Sequence, residues 1–427
     1  MGRVLFSEPF FPEKRGSDPW DTAAGENSMR RNRYLQALTL CLAALMLLTA
    51  PAAGRAAKDS LPEMLDRIFR NHHAVGGAVI VARDGEIVLE HYYGYTSRTD
   101  REPVTDETYF RLASVTKMVT AIRVMQLAEE GVLDPDRDIS DYLGYQVRNP
   151  YSRKTPVTLR MLMTHTSSLD PHGGYQNGHR TLSELIRYDP NRKSNWYDEK
   201  PGTVYRYSNF GAGVIGSVLE AVTGRTIQDT VEEGVFIPMD ITAAYAPCLL
   251  PDQENIPVLY NADGTVADSR DKSLGKEWDD TPDPETHYRI NVGSLWMLPR
   301  DLCRIGMMLC DGGVWNGEQV LEAETVREMT AEQKGRAGIR ANTPYGLGIQ
   351  QERSLLPDRT VYGHQGLSDG VLCNLYFEPE SQLVVVVCSN GCRNGMDNRV
   401  AHLTRKLFSQ VWGQYGNPDR PRMSGGR

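Results

Sequence analysis

No run of Lys or Arg stands in the body of this chain of 427 residues, and 47 basic residues face 55 acidic ones, a formal charge of −8. A nucleic-acid binder concentrates positive charge against the phosphate backbone, so that class is excluded. Neither C-x-x-C nor H-E-x-x-H occurs, which removes the common spacings of structural and catalytic zinc sites. No fixed-period repeat is present, which sets aside solenoids and propellers. Low-complexity sequence is also missing, apart from a polar tail within 413–427 that is expected to be disordered. No apolar run reaches the roughly 20 residues that a membrane-spanning helix needs. With 40% apolar and 24% charged residues, the bulk has the composition of a soluble globular protein.

What is there begins with a leader. Met29 opens Arg30-Arg31-Asn32-Arg33, followed by the mostly apolar stretch Tyr34 to Thr49 and then Ala50-Pro51-Ala52-Ala53. A basic n-region, a short apolar h-region and an A-x-A site predict a secretory signal peptide within residues 1–57, with the start at Met29. The rival expectation is an uncleaved N-terminal anchor. Beyond residue 57 the chain carries 40 basic and 50 acidic groups, or −10, and six cysteines. That even number permits disulfides whose connectivity the sequence does not give. Cys303 and Cys310, seven apart on a helical pattern, read as core residues.

Hydrophobic spacing predicts a helix over 59–73 and a β-hairpin around Asp84-Gly85. An amphipathic helix is expected over 115–130 and a second hairpin around 378–381. A closing helix is expected over about 394–412. Between them, about 134–290 is rich in short helical patterns broken by Pro and Gly, with an aperiodic polar excursion at 250–290. The sheet would then be built from both ends of the chain with a helical insert between, an α+β plan rather than a doubly wound one.

Two nucleophile patterns compete. Gly366-Leu367-Ser368-Asp369-Gly370 fits the G-x-S-x-G elbow, which requires a helix directly after it. Here Val371 to Phe377 reads as a strand, and the only later His is His402, so Ser368 is disfavoured. Ser114-Val115-Thr116-Lys117 is an S-x-x-K at the start of the helical pattern. There the hydroxyl would meet the orphan N–H groups and positive dipole end of a helix. Lys117, one turn along the same face, can reach it. A buried Lys with a lowered pKa can take the serine proton. A plain N-cap serine is the bland alternative. As strings, Ser269–Lys272 and Ser273–Lys276 match equally well, but they fall in the polar excursion. The companions of Ser114 decide: Tyr207-Ser208-Asn209 stands 93 residues on and His364-Gln365-Gly366 a further 157.

In that order these motifs resemble the serine β-lactamase-related family of class C β-lactamases, D-Ala-D-Ala carboxypeptidases, D-aminopeptidases and β-lactamase-like esterases. The resemblance spans about 60–412. It includes Met163-Thr-His-Thr-Ser-Ser-Leu169, Pro201-Gly202, Pro299-Arg-Asp-Leu302 and Tyr345-Gly-Leu-Gly-Ile349, and it makes His165 structural. It implies a β-lactamase/transpeptidase-like fold, an antiparallel five-stranded sheet flanked by helices plus a helical subdomain at about 134–290, the whole catalytic domain covering 58–412. It implies Ser114 as the acylated nucleophile, Lys117 as its proton acceptor and Tyr207 as the proton shuttle. Asn209 would bond Lys117 or the substrate amide. The backbone N–H groups of Ser114 and Leu367 would form the oxyanion hole, and His364, Gln365 and Gly366 would line the substrate site. No metal and no organic cofactor is implied.

The departures concern substrate. His364-Gln365-Gly366 stands where the family's β-lactamases carry K-T-G or K-S-G, and a His is a weaker carboxylate anchor than an ammonium. The expectation is an exported serine hydrolase of small peptides, amides or esters, with D-amino-acid and cell-wall peptides among the candidates. β-Lactam hydrolysis or acyl transfer at the same site, and a catalytically idle wall-binding domain, are the alternatives.

Overall fold

A computed structural model describes residues 59–416, apart from 189, 190, 192 and 193. The expected signal peptide and residues 417–427 lie outside the described residues. Among those described, no helix is long and apolar enough to cross a membrane.

Helix α1 (Leu61–Asn71) starts at a Ser60–Glu63 capping box and buries Leu65 and Phe69. Strands β1 (Gly76–Arg83) and β2 (Glu86–Gly94) form a hairpin with Arg83 opposite Glu86. Asp84 and Gly85 turn it with φ of 52° and 80°, the sign that a two-residue hairpin turn needs at both positions. Helices α2 (Val115–Glu129), α3 (Asn209–Thr223) and α4 (Pro299–Cys310) follow. Strands β3 (Gln350–Glu352), β4 (Val361–Ser368), β5 (Val371–Glu378) and β6 (Leu383–Ser389) come next, and helix α5 (His402–Tyr415) closes the chain.

The strands assemble antiparallel in the order β3-β4-β5-β6-β1-β2. The α+β plan holds, with the two ends of the chain joined at β6 and β1. The sheet has six strands rather than the expected five. The edge strand β3 is Gln-Gln-Glu, three buried polar residues with no alternation to betray a strand. Side chains alternate faces along each strand. Val79, Val81, Val385 and Val387 pack with α1 and α5, whereas Ala78, Ile80, Val384 and Val386 pack with α2 and α4.

Two expectations need correction. Helix α2 is buried on every face from Val115 to Leu127. Its polar residues are paired in the interior rather than solvated: Thr120 with Tyr245, Arg123 with Glu130 and the Thr230 carbonyl, Gln126 with the Gly234 and Val320 carbonyls. The closing helix starts at His402, not near 394. Met396–Asp397 and Val400–Ala401 form a small hairpin first, turned by Asn398 and Arg399 in the left-handed region. The polar stretch at 250–290 is moored to the sheet, since the Asn390 carbonyl accepts from Tyr260 N–H and the Asn390 amide donates to the Val258 carbonyl.

Candidate active site

Ser114 is the residue before α2, and its side chain makes no capping bond, so the hydroxyl is free for other partners. Ala113 before it sits at φ 44°, a conformation that disfavours an L side chain and marks stored strain. Three contacts hold the bend. Leu112 N–H donates to the Leu295 carbonyl at 2.8 Å, Arg111 Nε donates to the Gly293 carbonyl at 2.9 Å, and Phe110–Arg111 pairs with Trp296–Met297 as a short strand.

Two side chains converge on Ser114 Oγ. Tyr207 Oη–H donates to it at 2.9 Å, and Lys117 Nζ lies 3.1 Å away. Lys117 also donates to the Val292 carbonyl and lies 5.5 Å from the Tyr207 ring centre. Among the described residues no carboxylate pairs with it, and burial alone lowers its pKa to about 7. Burial acts in the opposite direction on the Tyr207 phenol and raises its pKa, with the Ser114 hydrogen bond pulling weakly against it. The site therefore holds an amine near its titration point beside a phenol that stays protonated, both on one hydroxyl.

His165 positions Tyr207. Its backbone carbonyl accepts from Arg206 N–H, and its Nδ1 accepts from Ser208 N–H at 3.3 Å. The ring lies 4.2 Å from that of Tyr207, with Tyr345 at 5.0 Å and Tyr205 at 6.3 Å. Burial drives the imidazole pKa well down, reinforced by Lys117 and His364, so a neutral His165 braces the turn that presents Tyr207.

The remaining sequence candidates are placed differently. Asn209 opens α3, and its Oδ1 is buried with no hydrogen-bond partner among the described residues; Lys117 uses the Val292 carbonyl instead. His364 on β4 is only 1% exposed. It faces Tyr345, with Nε2 3.4 Å from the hydroxyl, while its Nδ1–H is satisfied by the Gln365 carbonyl. Burial, then the field of Lys117, pushes its pKa down to about 3. The Gln365 side chain is spent on the small hairpin, donating to the Arg399 carbonyl at 2.8 Å and accepting from Ala401 N–H at 2.8 Å. Gly366 is a point of close approach, since a Cβ there would stand 2.1 Å from the Leu112 carbonyl oxygen. That absence lets β4 lie against the segment leading into Ser114 and brings exposed Leu367 beside it.

The competing nucleophiles fail on geometry. Ser368 ends β4 and strand β5 begins at Val371, so there is no elbow helix. Ser269 Oγ accepts from Lys272 N–H as a helix cap, and Ser273 is fully buried. The Val292 carbonyl is the contact that sequence reasoning missed, and a backbone acceptor 175 residues from Lys117 leaves no residue-type signal. Two cavities share residues with these elements, although neither is lined by Ser114. One of 530 Å³ includes Arg111, Trp278, His287 and Ser294, and one of 230 Å³ includes Leu367, Ser368 and Met396.

The chain and its fold are similar to known proteins. The family described as Beta-lactamase matches residues 62–408. Penicillin-binding protein 4 of Amycolatopsis lactamdurans is 27% identical over 332 residues, 77% of this chain and 84% of its own length. Esterase EstB of Burkholderia gladioli is 31% identical over 204 residues, 44% of this chain and 50% of its own. The fold is shared with an octameric penicillin-binding protein homologue from Pyrococcus abyssi at a TM-score of 0.64 and 20% identity, over 84% of this chain and 78% of that one. The chain therefore belongs to the Beta-lactamase family, as a serine hydrolase of the β-lactamase-related kind.

Proposed function

We propose that this protein is an exported hydrolase that forms an acyl-enzyme on Ser114 with small peptide, amide or ester substrates, of the D-amino-acid peptidase or esterase type. The observation that carries the reading is the convergence of Lys117 Nζ and Tyr207 Oη on Ser114 Oγ, with the Lys117 pKa lowered to about 7.

Neutral Lys117 takes the hydroxyl proton as Oγ attacks the substrate carbonyl. The N–H groups of Ser114 and Leu367 receive the developing oxyanion, a role worth several kcal/mol when donors are preorganised. Tyr207, protonated at neutral pH, gives its proton to the departing amine or alkoxide, and the proton that Lys117 took from Ser114 replaces it, leaving Oγ as the ester oxygen. Water then attacks the ester by the reverse route, and an alcohol or amine in its place would give acyl transfer. Asn209, with a free buried acceptor, offers a bond to the substrate amide N–H. The names of the relatives, a penicillin-binding protein and an esterase, support both substrate types, and the n-region, h-region and A-x-A site support export.

β-Lactam turnover is the lesser reading, because neither side chain of the His364-Gln365 pair is free to hold a carboxylate. Labelling with a fluorophosphonate or a fluorescent penicillin tests the assignment. One adduct at Ser114, lost in Ser114→Ala, is expected. An adduct at Ser368 would overturn it. Intact mass after incubation with short acyl esters and with D-Ala-D-Ala peptides identifies the substrate class. Failure of both to acylate a protein that the fluorophosphonate labels would remove this substrate assignment.

A further inference from the structure

Cys373 on β5 and Cys388 on β6 are register partners in the middle of the sheet. Both point to the face covered by α2 and α4, both are fully buried, and their sulfur atoms lie 2.9 Å apart. Residues directly opposite on antiparallel strands have Cα atoms about 4.5–5.5 Å apart, within the span a disulfide bridges without backbone movement. The other described thiols have no such opposite number. Cys303 and Cys310 are carried by α4, with Cys310 directed at the Leu383 carbonyl, and Cys248 is directed at the Lys276 carbonyl. Cys392 lies beyond the end of β6.

We propose that Cys373 and Cys388 form a disulfide that staples β5 to β6 when the chain folds in an oxidising compartment. The oxidant is a disulfide, either a small molecule such as oxidised glutathione or a dithiol oxidase. One cysteine thiolate attacks it, giving a mixed disulfide and releasing one thiol. The second thiolate then attacks the protein sulfur of that mixed disulfide and releases the other thiol. Two electrons and two protons pass from the cysteine pair to the oxidant, which leaves as two thiols. The bond forms before the sheet closes, because in the folded chain both sulfur atoms are sealed from solvent, and burial raises the Cys388 thiol far above its usual range. Afterwards the same burial shields it from reductant. Its position has a consequence for the site: Cys373 is the register partner of Gly366, so the staple fixes the strand against which the oxyanion strand is laid. The proposal stands independently of the acyl-enzyme reading.

The test refolds the full chain with reduced and oxidised glutathione, denatures it in an alkylating agent without reductant, and maps the peptides. The chain has seven cysteines. Five alkylated positions and one cross-linked peptide pair joining 373 to 388 are expected, with the pair surviving millimolar dithiothreitol until denaturant is added. Full alkylation, or a cross-link between any other two positions, overturns the proposal. A stapling role also requires that protein refolded reduced melts lower than the oxidised form, by roughly 5 °C; equal midpoints would overturn that role.

Discussion

The two walls of the site are built on opposite principles. On the α2 side, Ser114, Lys117 and Tyr207 turn their polar ends toward one another, and burial tunes Lys117 and Tyr207, with no ion pair among the described residues. On the β4 side, the polar ends of His364 and Gln365 are already engaged, one buried against Tyr345 and one bonded to the hairpin at 396–401. The side chains left exposed at the end of β4 are those of Leu367 and Ser368. In the proposed mechanism, one wall supplies chemistry through side chains, and the other supplies shape and N–H groups. A third-motif Lys would have added a fixed cation to the second wall. With His364 buried and neutral, substrate charge has to be met elsewhere or not at all.

Removing Lys117 strikes the first wall hardest. Lys117→Met keeps the length and apolar stem of the side chain while deleting the base. Acylation by the penicillin probe should fall by about 10³-fold, in the range of general-base deletions, with the thermal midpoint held or raised because a buried amine has been removed. Stopped-flow labelling checks this. A rate within tenfold of the parent would mean that Tyr207 alone deprotonates Ser114.

Gly366→Ala is the corresponding blow to the second wall. A Cβ placed 2.1 Å from the Leu112 carbonyl oxygen cannot be accommodated by a rotamer change, since both partners are backbone. Either β4 or the strained segment at Ala113 must shift. We expect a loss of stability of about 1–3 kcal/mol, as for overpacked cores, and a drop of at least tenfold in kcat/KM because the two oxyanion donors move apart. Urea unfolding and steady-state rates measure the two effects. An intact rate with reduced stability would mean that Leu367 N–H does not serve the oxyanion.

Much of the first wall was legible in the sequence, because S-x-x-K and Y-x-N place reactive side chains at fixed offsets from helix starts. The second wall was legible only as a string. That His364 and Gln365 turn inward depends on the β4 register and on a hairpin whose Asn398-Arg399 turn carries no periodic signal. The polar residues of α2 misled for a related reason. Thr120, Arg123 and Gln126 look like a solvated stripe until their distant partners, 107 to 194 residues away, are known alongside Glu130. The edge strand β3 carries no strand signal, because tertiary burial, not β-propensity, makes Gln-Gln-Glu a strand.

Asn209 lies between the walls in character: a motif residue whose Oδ1 is buried and unpartnered. Asn209→Ala removes an acceptor that has nothing to lose in the free enzyme, so stability should change by less than about 0.5 kcal/mol. If the acceptor is kept for the substrate amide, kcat/KM for a D-Ala-D-Ala peptide should fall by roughly tenfold, the worth of about one hydrogen bond. An ester without an amide N–H should lose nothing. Equal losses on amide and ester would assign Asn209 to positioning Tyr207 instead.

The smallest effect separates the walls most cleanly, since each offers a group that could set the pH dependence. In the proposed mechanism Lys117 takes a proton only when neutral, and its pKa is lowered to about 7. Acylation should therefore be nearly flat above pH 8 and fall tenfold per pH unit below 6. His364, pushed down to about 3 by burial, stays neutral throughout that window and contributes no step. His364→Asn keeps a polar, uncharged side chain beside Tyr345. It should cost about 1 kcal/mol of stability through lost packing and leave the midpoint of the acylation profile within about 0.3 pH units of the parent. The profile is measured with an uncharged ester, so that substrate ionisation does not enter. A midpoint that moves with His364→Asn would place a titrating imidazole in the site. The second wall would then supply a charge after all, and the division between chemistry on one side and shape on the other would fall.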